Sequence, residues 1–486
     1  MNTIFTYQDL EKVLTDWQNS NTDTPLLQFV QGAIQSHKSD KKSLANYETA
    51  VLADEYYRHR DRTIVEYQKL LYDISGHPKV DEWGANYKLS SNFLFMAINQ
   101  LNQYLLSNGV TWGKSTTAKR LGTNFDTQAQ RAGAEALKCG VSFGFVNYDH
   151  VEVFSLREFV PFYDEITNQL MAGVRFWQLA SDKPLRATLY IMDGAIEMVW
   201  GEREDNRGRI LKPLTPYITV TKGAPAEEKI YDGENYPAFP IVPLYGINKQ
   251  SELLGRQEKI DCYDLLFSGF ANTVDEAAFI YWAIEGAGGM KDMDLSKFTE
   301  RMKRLHAAAV GDEQRVTANA VEAPYASREA ILQRLRDDIY EDFMMVDTAS
   351  IKSGSVVTAQ IEAAFHNLDM KANLFEFCIL DWLEGICKVL GIEGEEPTLT
   401  RSKIINTQEQ ISTLTAAAEY LTEDYITRKI LQILGDGDKA DDIIKERTAE
   451  DLEKIRVPQE PPQNNPQENN EEGEEWTEGT NEQSRS

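Results

Sequence analysis

Val356-Val-Thr-Ala-Gln-Ile-Glu-Ala-Ala-Phe-His-Asn-Leu-Asp-Met-Lys-Ala-Asn-Leu-Phe-Glu-Phe-Cys-Ile-Leu-Asp-Trp-Leu-Glu-Gly-Ile-Cys-Lys-Val-Leu390 carries one unbroken helical pattern. Ile361, Phe365, Leu368, Ala372, Phe375, Ile379, Trp382 and Ile386 recur at spacings of 4, 3, 4, 3, 4, 3 and 4. That spacing predicts a very long helix with one buried face. A polar loop, Asp347-Thr-Ala-Ser-Ile-Lys-Ser-Gly-Ser355, leads into it. Upstream of the loop, Leu332, Leu335, Ile339 and Phe343 predict a helix starting near Ser327, an N-cap after Pro324. Earlier still, Leu253, Ile260, Tyr263, Phe267, Phe270 and Val274 predict an apolar stripe on a helix from about 249 to 279. Between these two helices lies an insertion over 280–326, with a Gly-rich turn (Gly286-Ala-Gly-Gly289) and a small helix around Leu295 to Leu305.

The first 80 or so residues read as helical, and a helix is predicted within Lys88 to Leu106, stopped by Asn108-Gly109. From about Val141 to Val242 the pattern becomes short β-rich runs. They are 151–154, 173–179, 186–192, 195–200 and 216–220, with Asp193-Gly194, Lys222-Gly223 and Asp232-Gly233 read as separators. This predicts an antiparallel meander and an α+β class. Small helices are expected over 406–455. The last residues, 457–486, hold four prolines and a net charge of −7, and read as a disordered tail.

The whole chain of 486 residues carries a formal charge of −27, of which −20 lies before the tail. Such an acidic balance excludes a simple basic-patch nucleic-acid binder, which needs Lys and Arg to displace counterions from phosphates. With 42% hydrophobic residues, wholesale disorder is excluded too. The N-terminus lacks the basic start and apolar run of a signal peptide, and no stretch reaches 18 uncharged apolar residues, so no membrane association is expected. Cys139, Cys262, Cys378 and Cys387 form no CxxC pair and read as buried free thiols.

Motifs of catalysis fail on spacing. Gly109-Val-Thr-Trp-Gly113-Lys114-Ser115 resembles a phosphate loop but has three residues between its glycines where four are needed, and it follows an amphipathic helix instead of a strand. A helix-terminating turn with a surface Lys is the simpler reading. Asp436-Gly437-Asp438-Lys439-Ala440-Asp441 lacks the glycine of a calcium loop. The six histidines form no pair at metal-ligand spacing, and neither HExxH nor GxSxG occurs. No cofactor, metal or catalytic residue is expected.

The order of elements is more telling than any motif. Glu55-Tyr-Tyr-Arg-His-Arg60, Lys88-Leu-Ser-Ser-Asn92 through Tyr104-Leu-Leu-Ser-Asn-Gly109, Ala136-Leu-Lys-Cys-Gly140, Phe239-Pro-Ile-Val-Pro-Leu244 and Ser353-Gly-Ser-Val-Val-Thr-Ala359 follow one another in this order. The chain thereby resembles the portal proteins of tailed bacteriophages, in the SPP1-like family of Gram-positive siphophages. The resemblance implies a portal fold with an α/β wing, a two-helix stem, a small α/β clip, a long wing helix and an α-helical crown. It implies the wing at 1–246, stem helices at 247–279 and 327–346, the clip at 280–326, a tunnel loop at 347–356, the long wing helix at 357–395 and the crown at 396–456. The acidic tail, 457–486, follows.

It further implies a homo-oligomer, a dodecameric ring at one capsid vertex of the virion, assembled in the host cytoplasm. Double-stranded viral DNA would pass through its channel. The implied partners are the large terminase, the major capsid and scaffolding proteins, and a head-completion adaptor protein. The implied DNA-facing residues are Ser350, Ile351, Lys352, Ser353, Gly354 and Ser355, with Lys352 the one basic residue of the loop. Charge agrees independently, because an acidic lumen repels a duplex from its wall and lets it slide. The alternatives are another phage head–tail connector or structural protein, a generic α+β scaffold, and an NTPase working through Gly113-Lys114-Ser115.

Overall fold

The computed structural model describes residues 5–20, 22–41, 43, 45–72, 77–81, 85–202, 208–222, 230–277, 281–285, 315–319, 325–347, 358–402, 407–416, 420–434 and 443–447. It divides into two units, Met1–Ile404 and Ile405–Ser486. The first begins with helices α1 (Tyr7–Ser20), α2 (Thr24–Ser39), α3 (Tyr47–Tyr57) and α4 (Arg62–Glu66), and then a short antiparallel pair, β1 (Leu70–Tyr72) and β2 (Pro78–Val80). Pro25 sits in the first turn of α2, where its missing N–H costs nothing, and Asn46 caps α3 by accepting from the Thr49 N–H at 2.9 Å. Next come α5 (Phe93–Leu106), β3 (Val110–Thr111), α6 (Ser115–Leu121) and α7 (Phe125–Cys139). Gly140, at φ +86°, ends α7 in the left-handed conformation that suits glycine.

Two antiparallel sheets follow. The first contains β4 (Val141–Asn147) and β5 (His150–Ser155), with the distant β13 (Ile241–Tyr245) added beside β4. The second is a consecutive five-stranded meander, β6 (Phe159–Tyr163), β7 (Leu170–Trp177), β8 (Leu185–Ile191), β9 (Gly194–Trp200) and β10 (Arg209–Thr215). The meander is as expected, and its β8–β9 turn is Met192-Asp193, with Gly194, at φ +136°, opening β9. Asp232-Gly233 is a correction. It lies inside β12 (Ile230–Glu234), where Asp232 pairs with Val220 of β11 (Ile218–Lys222), because this hairpin closes further upstream.

One face of the meander is covered by α1 and α2. Leu10, Leu26, Val30 and Ile34 pack there on Phe162, Val174, Leu189 and Met198. Phe143, Phe145, Phe154, Phe159 and Tyr190 fill the space between the two sheets. The largest core joins α5 and α7 to the later helices α8 (Gln257–Ala277), α9 (Tyr325–Asp342) and α10 (Thr358–Val389). Between α8 and α9 stands an antiparallel ribbon, β14 (Tyr281–Glu285) with β15 (Arg315–Asn319). The small helix expected at 295–305 lies outside the described residues. β16 (Thr398–Leu399) pairs with β3.

The long helix matches its pattern closely. Phe365, Leu368, Ala372, Phe375, Ile379, Trp382 and Ile386 are all buried. The helix before the insertion does not match. It starts at Gln257 and not near 249, after a turn in which Gly255 adopts φ +78°. Beyond Tyr263 its most buried face is polar: Asp264, Ser268 and Asn272 are buried, while Phe267 and Val274 are exposed.

The reason for that polar face is a ladder. The Ser91, Leu89 and Tyr87 N–H groups donate to Asp264 Oδ1 (3.1 Å), Ser268 Oγ (3.0 Å) and Asn272 Oδ1 (2.7 Å). Four helical residues rise ~6 Å, and two extended residues span roughly 6.6 Å, so the two repeats match. The same ladder engages the backbone of 87–91, and the helix predicted within Lys88 to Leu106 runs from Phe93 to Leu106. The helix expected from Ser327 begins two residues earlier, at Tyr325. Cys262 is exposed, contrary to the expectation of buried thiols, because it lies on the outward side of α8; Cys139 and Cys387 are buried.

The second unit contains α11 (Thr407–Ala416), α12 (Glu423–Leu434) and a short helix over 443–447, whose Arg447 pairs with Glu423 at 3.0 Å. The expected tail, 457–486, lies outside the described residues.

Candidate functional site

The polar loop before the long helix is where function was expected, and Ser350, Ile351, Lys352, Ser353, Gly354 and Ser355 lie outside the described residues. Its two roots are described. On the upstream side, α9 ends at Asp342 and the chain turns at Met344, a non-glycine residue at φ +55°. Val346 is then pinned by Gln100 of α5, which accepts the Val346 N–H at 2.9 Å and donates to the Val346 carbonyl at 3.0 Å. Arg336 reaches Asp347 at 3.3 Å while lying over the Tyr340 ring. The upstream root is therefore fixed up to its last described residue.

Beneath this root lies a buried charge knot. Lys371 of α10 donates to Glu252 Oε2 at 2.7 Å and to the Phe343 carbonyl at 2.9 Å. Arg256 donates to Glu252 Oε2 at 3.2 Å and to the Asp342 carbonyl at 3.0 Å. Both cations lie near the Phe343 ring. Two cations thus meet one carboxylate, and the surplus positive charge sits at the C-terminus of α9, where the unpaired carbonyls carry the negative end of the helix dipole. Burial pushes the Lys371 ammonium below its ordinary value, and Glu252 works against that.

The knot ties the turn before α8, the end of α9 and the fourth turn of α10 into one body. From Thr358 to Lys371 the long helix rises ~20 Å, so its first turns extend well past the knot toward the downstream root of the loop.

The phosphate-loop lookalike has a different partner. The Lys114 N–H donates to Glu395 Oε1 at 2.9 Å, Thr117 Oγ1 donates to Glu395 Oε2 at 2.9 Å, and Lys114 Nζ donates to the Glu393 carbonyl at 3.1 Å. Partial loss of water works to raise the Glu395 carboxyl, and the Lys114 and Gly113 amides with the Thr117 hydroxyl outweigh it, holding it below its ordinary value. The donors that a phosphate would need are taken by the chain's own carboxylate. The acidic run 436–441 lies outside the described residues. Among the described residues no group of three or more His, Cys, Asp or Glu is arranged to hold a metal ion, and no helix is long and apolar enough to cross a membrane.

The family model described as "Phage portal protein, SPP1 Gp6-like" matches residues 36–456, most of the chain. The chain belongs to this phage portal protein family. A portal protein of Clostridium phage phiCD119 is 22% identical over 381 residues, covering 71% of this chain and 81% of that protein. The portal protein of Bacillus phage SPP1 is 21% identical over 343 residues, covering 65% of this chain and 64% of that protein. Among solved structures, the neck of a native gene transfer agent particle computed with C12 symmetry is similar at 11% identity and TM-score 0.41, covering 70% of this chain and 89% of that one. A chain of a gene transfer agent virion is similar at 11% identity and TM-score 0.44, covering 83% and 98%. The function of the chain is that of a phage portal, and its α+β fold is the one the sequence led us to expect.

Sequence reasoning missed the knot of this portal. Glu252 and Lys371 stand 119 residues apart, so no local motif joins them. One signal existed: Lys371 falls between Leu368 and Ala372 on the buried stripe, and a cation on an apolar face demands a buried partner.

Proposed function

We propose that this portal protein forms a closed ring of identical subunits, a dodecamer, at one vertex of the capsid. Double-stranded viral DNA is packaged through its channel by a large terminase, retained, and later released. Major capsid and scaffolding proteins hold the ring, and a head-completion adaptor docks on it. In this reading residues 1–246 form the wing and the helices over 247–279 and 327–346 the stem. The clip is 280–326, the tunnel loop 347–356, the long wing helix 357–395 and the crown 396–456, with the tail beyond. The chain is structural and not an enzyme. The family supports this, as does Glu395, which fills the amide nest that a nucleotide phosphate would need.

The observation that carries the ring is the apolar surface left uncovered on α8 and α9. Leu266 and Ile331 line a groove between these helices with Leu265, Gly269, Thr273 and Leu332. Phe267 and Val274 project from another side of α8, and all four apolar side chains named here as uncovered, Leu266, Phe267, Val274 and Ile331, are exposed in the single chain. Two different apolar patches on one helix pair suit a head-to-tail contact, which closes into a ring when repeated.

Phe267→Asp and Ile331→Asp are each expected to convert rings to single chains. Far-UV circular dichroism should stay unchanged, because substitutions of exposed side chains usually cost within ~0.5 kcal/mol. Intact rings in both variants would remove these patches from the interface.

The DNA-facing role of Lys352 rests on the portal reading. One Lys352 per subunit gives the channel a belt of positive charge within an acidic wall, making weak phosphate contacts that salt screens. Lys352→Glu is expected to leave ring and procapsid intact and to impair DNA packaging or retention. Normal packaging and retention in a correctly assembled head would show that this charge does not act on DNA.

A further inference from the structure

Asp61 and Asp264 are each only 1% exposed. Asp61 precedes α4, and Asp264 lies on α8. Both touch Ser91, whose N–H donates to Asp264 Oδ1 at 3.1 Å and whose hydroxyl lies 3.5 Å from Asp61 Oδ2. The other two oxygens, Asp61 Oδ1 and Asp264 Oδ2, are buried without a donor among the described residues. The two carboxyls lie within hydrogen-bonding reach of each other.

Among the described residues, the charged groups that act most strongly on the pair are carboxylates and not cations. On α8, Asp261 adds a third carboxylate nearby, held by the Tyr56 hydroxyl of α3, by Thr63 Oγ1 of α4 at 2.8 Å and by Gln257 at 3.3 Å. His59, after α3, turns Nδ1 to the Ser91 carbonyl at 3.4 Å and not to either carboxyl. Two ionised carboxylates in contact, dry and without a cation, are strongly disfavoured, whereas one proton shared between them relieves the repulsion and supplies a donor that the pair lacks. Burial first, and then Asp264, push the Asp61 carboxyl up to about 9, and Asp264 is raised as well, so the two titrate as a pair.

We infer that Asp61 and Asp264 share a single proton that fastens α8 to the extended segment before α5, and that losing it in alkali loosens this seam. The seam is the ladder Ser91–Asp264, Leu89–Ser268 and Tyr87–Asn272, and the proton sits at its first rung. The sign of the effect follows from linkage. Between the ordinary carboxylate range and about pH 9 the folded chain holds one proton that the unfolded chain has released. The pair's contribution to stability is therefore fully present below the ordinary carboxylate range, falls as pH rises through that window, and is gone above it. One proton corresponds to a tenfold change in the folding constant per pH unit. The inference does not depend on the portal reading.

The test uses the full-length protein in EDTA. Infrared spectroscopy at neutral pH is expected to show the carbonyl stretch of a protonated carboxylic acid, disappearing on alkaline titration near pH 9 and absent from Asp61→Asn. In urea unfolding, Asp61→Asn, whose amide donates to Asp264 without a proton, is expected to lose one proton's worth of pH slope. Asp264→Asn gives the same reading should Asp61→Asn fail to fold. Absence of the infrared band from the wild type at neutral pH overturns the inference. So does an unchanged slope in the folded variant, or wild-type stability that EDTA lowers and Mg²⁺ restores, which would put a cation where the proton is placed.

Discussion

Trp382→Ala is expected to lower the unfolding free energy of the first unit by about 3–5 kcal/mol. Trp382 is 1% exposed, two turns before the C-terminal end of the long helix, and its indole N–H donates to the Val242 carbonyl at 3.2 Å. Its ring stacks on Phe125 of α7 at a centroid distance of 6.0 Å and 14°. It rests against β4 where Gly144 stands opposite Val242, and a Cβ at position 144 would meet the indole at 2.8 Å. The glycine thus makes the room that the tryptophan fills. Truncation leaves a cavity walled by sheet and helix backbone, which relaxes little, and takes a donor from a buried carbonyl. Gly144→Ala should destabilise in the same direction by overpacking. Urea unfolding followed by tryptophan-independent circular dichroism measures both, and a loss below ~1 kcal/mol for Trp382→Ala would contradict this packing.

Glu252→Gln should cost a comparable amount, about 3–5 kcal/mol, because it leaves the buried Lys371 beside the half-buried Arg256 with no carboxylate between them. The pH dependence should identify the cause. Burial already lowers the Lys371 ammonium, and without Glu252 it falls further. In the window where the folded Lys371 has lost its proton and the unfolded lysine keeps one, the unfolded state binds more protons. Stability of the variant therefore rises with pH there. Glu252→Gln with Lys371→Met should recover part of the loss, since a removed pair costs less than a broken one. A flat pH profile in Glu252→Gln with no recovery in the double variant would mean that the knot is held by packing and not by charge.

These two sites differ in how far they could be read from sequence. Trp382 was legible, because the long stripe from Phe365 to Ile386 is apolar at every turn and helical burial needs nothing else. The five-stranded meander was legible for a similar local reason, since its strands follow one another and Asp193-Gly194 marks a turn. The face of α8 was not. Periodicity assumes that buried means apolar, yet Asp264, Ser268 and Asn272 are buried to feed the backbone of 87–91, more than 170 residues away in sequence. The apolar residues that the stripe predicted inside, Phe267 and Val274, are outside in the single chain. A stripe reports that a surface will be covered; whether its own chain or a neighbour covers it is not encoded in the spacing. Likewise Glu252–Lys371 and Asp61–Asp264 are meetings of distant segments, and only the odd polar residue within a buried pattern hints at them.

The central claim is that this chain works as one member of a portal ring. Native mass spectrometry of the purified full-length protein at micromolar concentration tests it most directly. A closed assembly of about twelve times the 55.2 kDa chain mass is expected, the multiple following from the proposed dodecamer. A folded protein found only at the mass of a single chain across the micromolar range would contradict it.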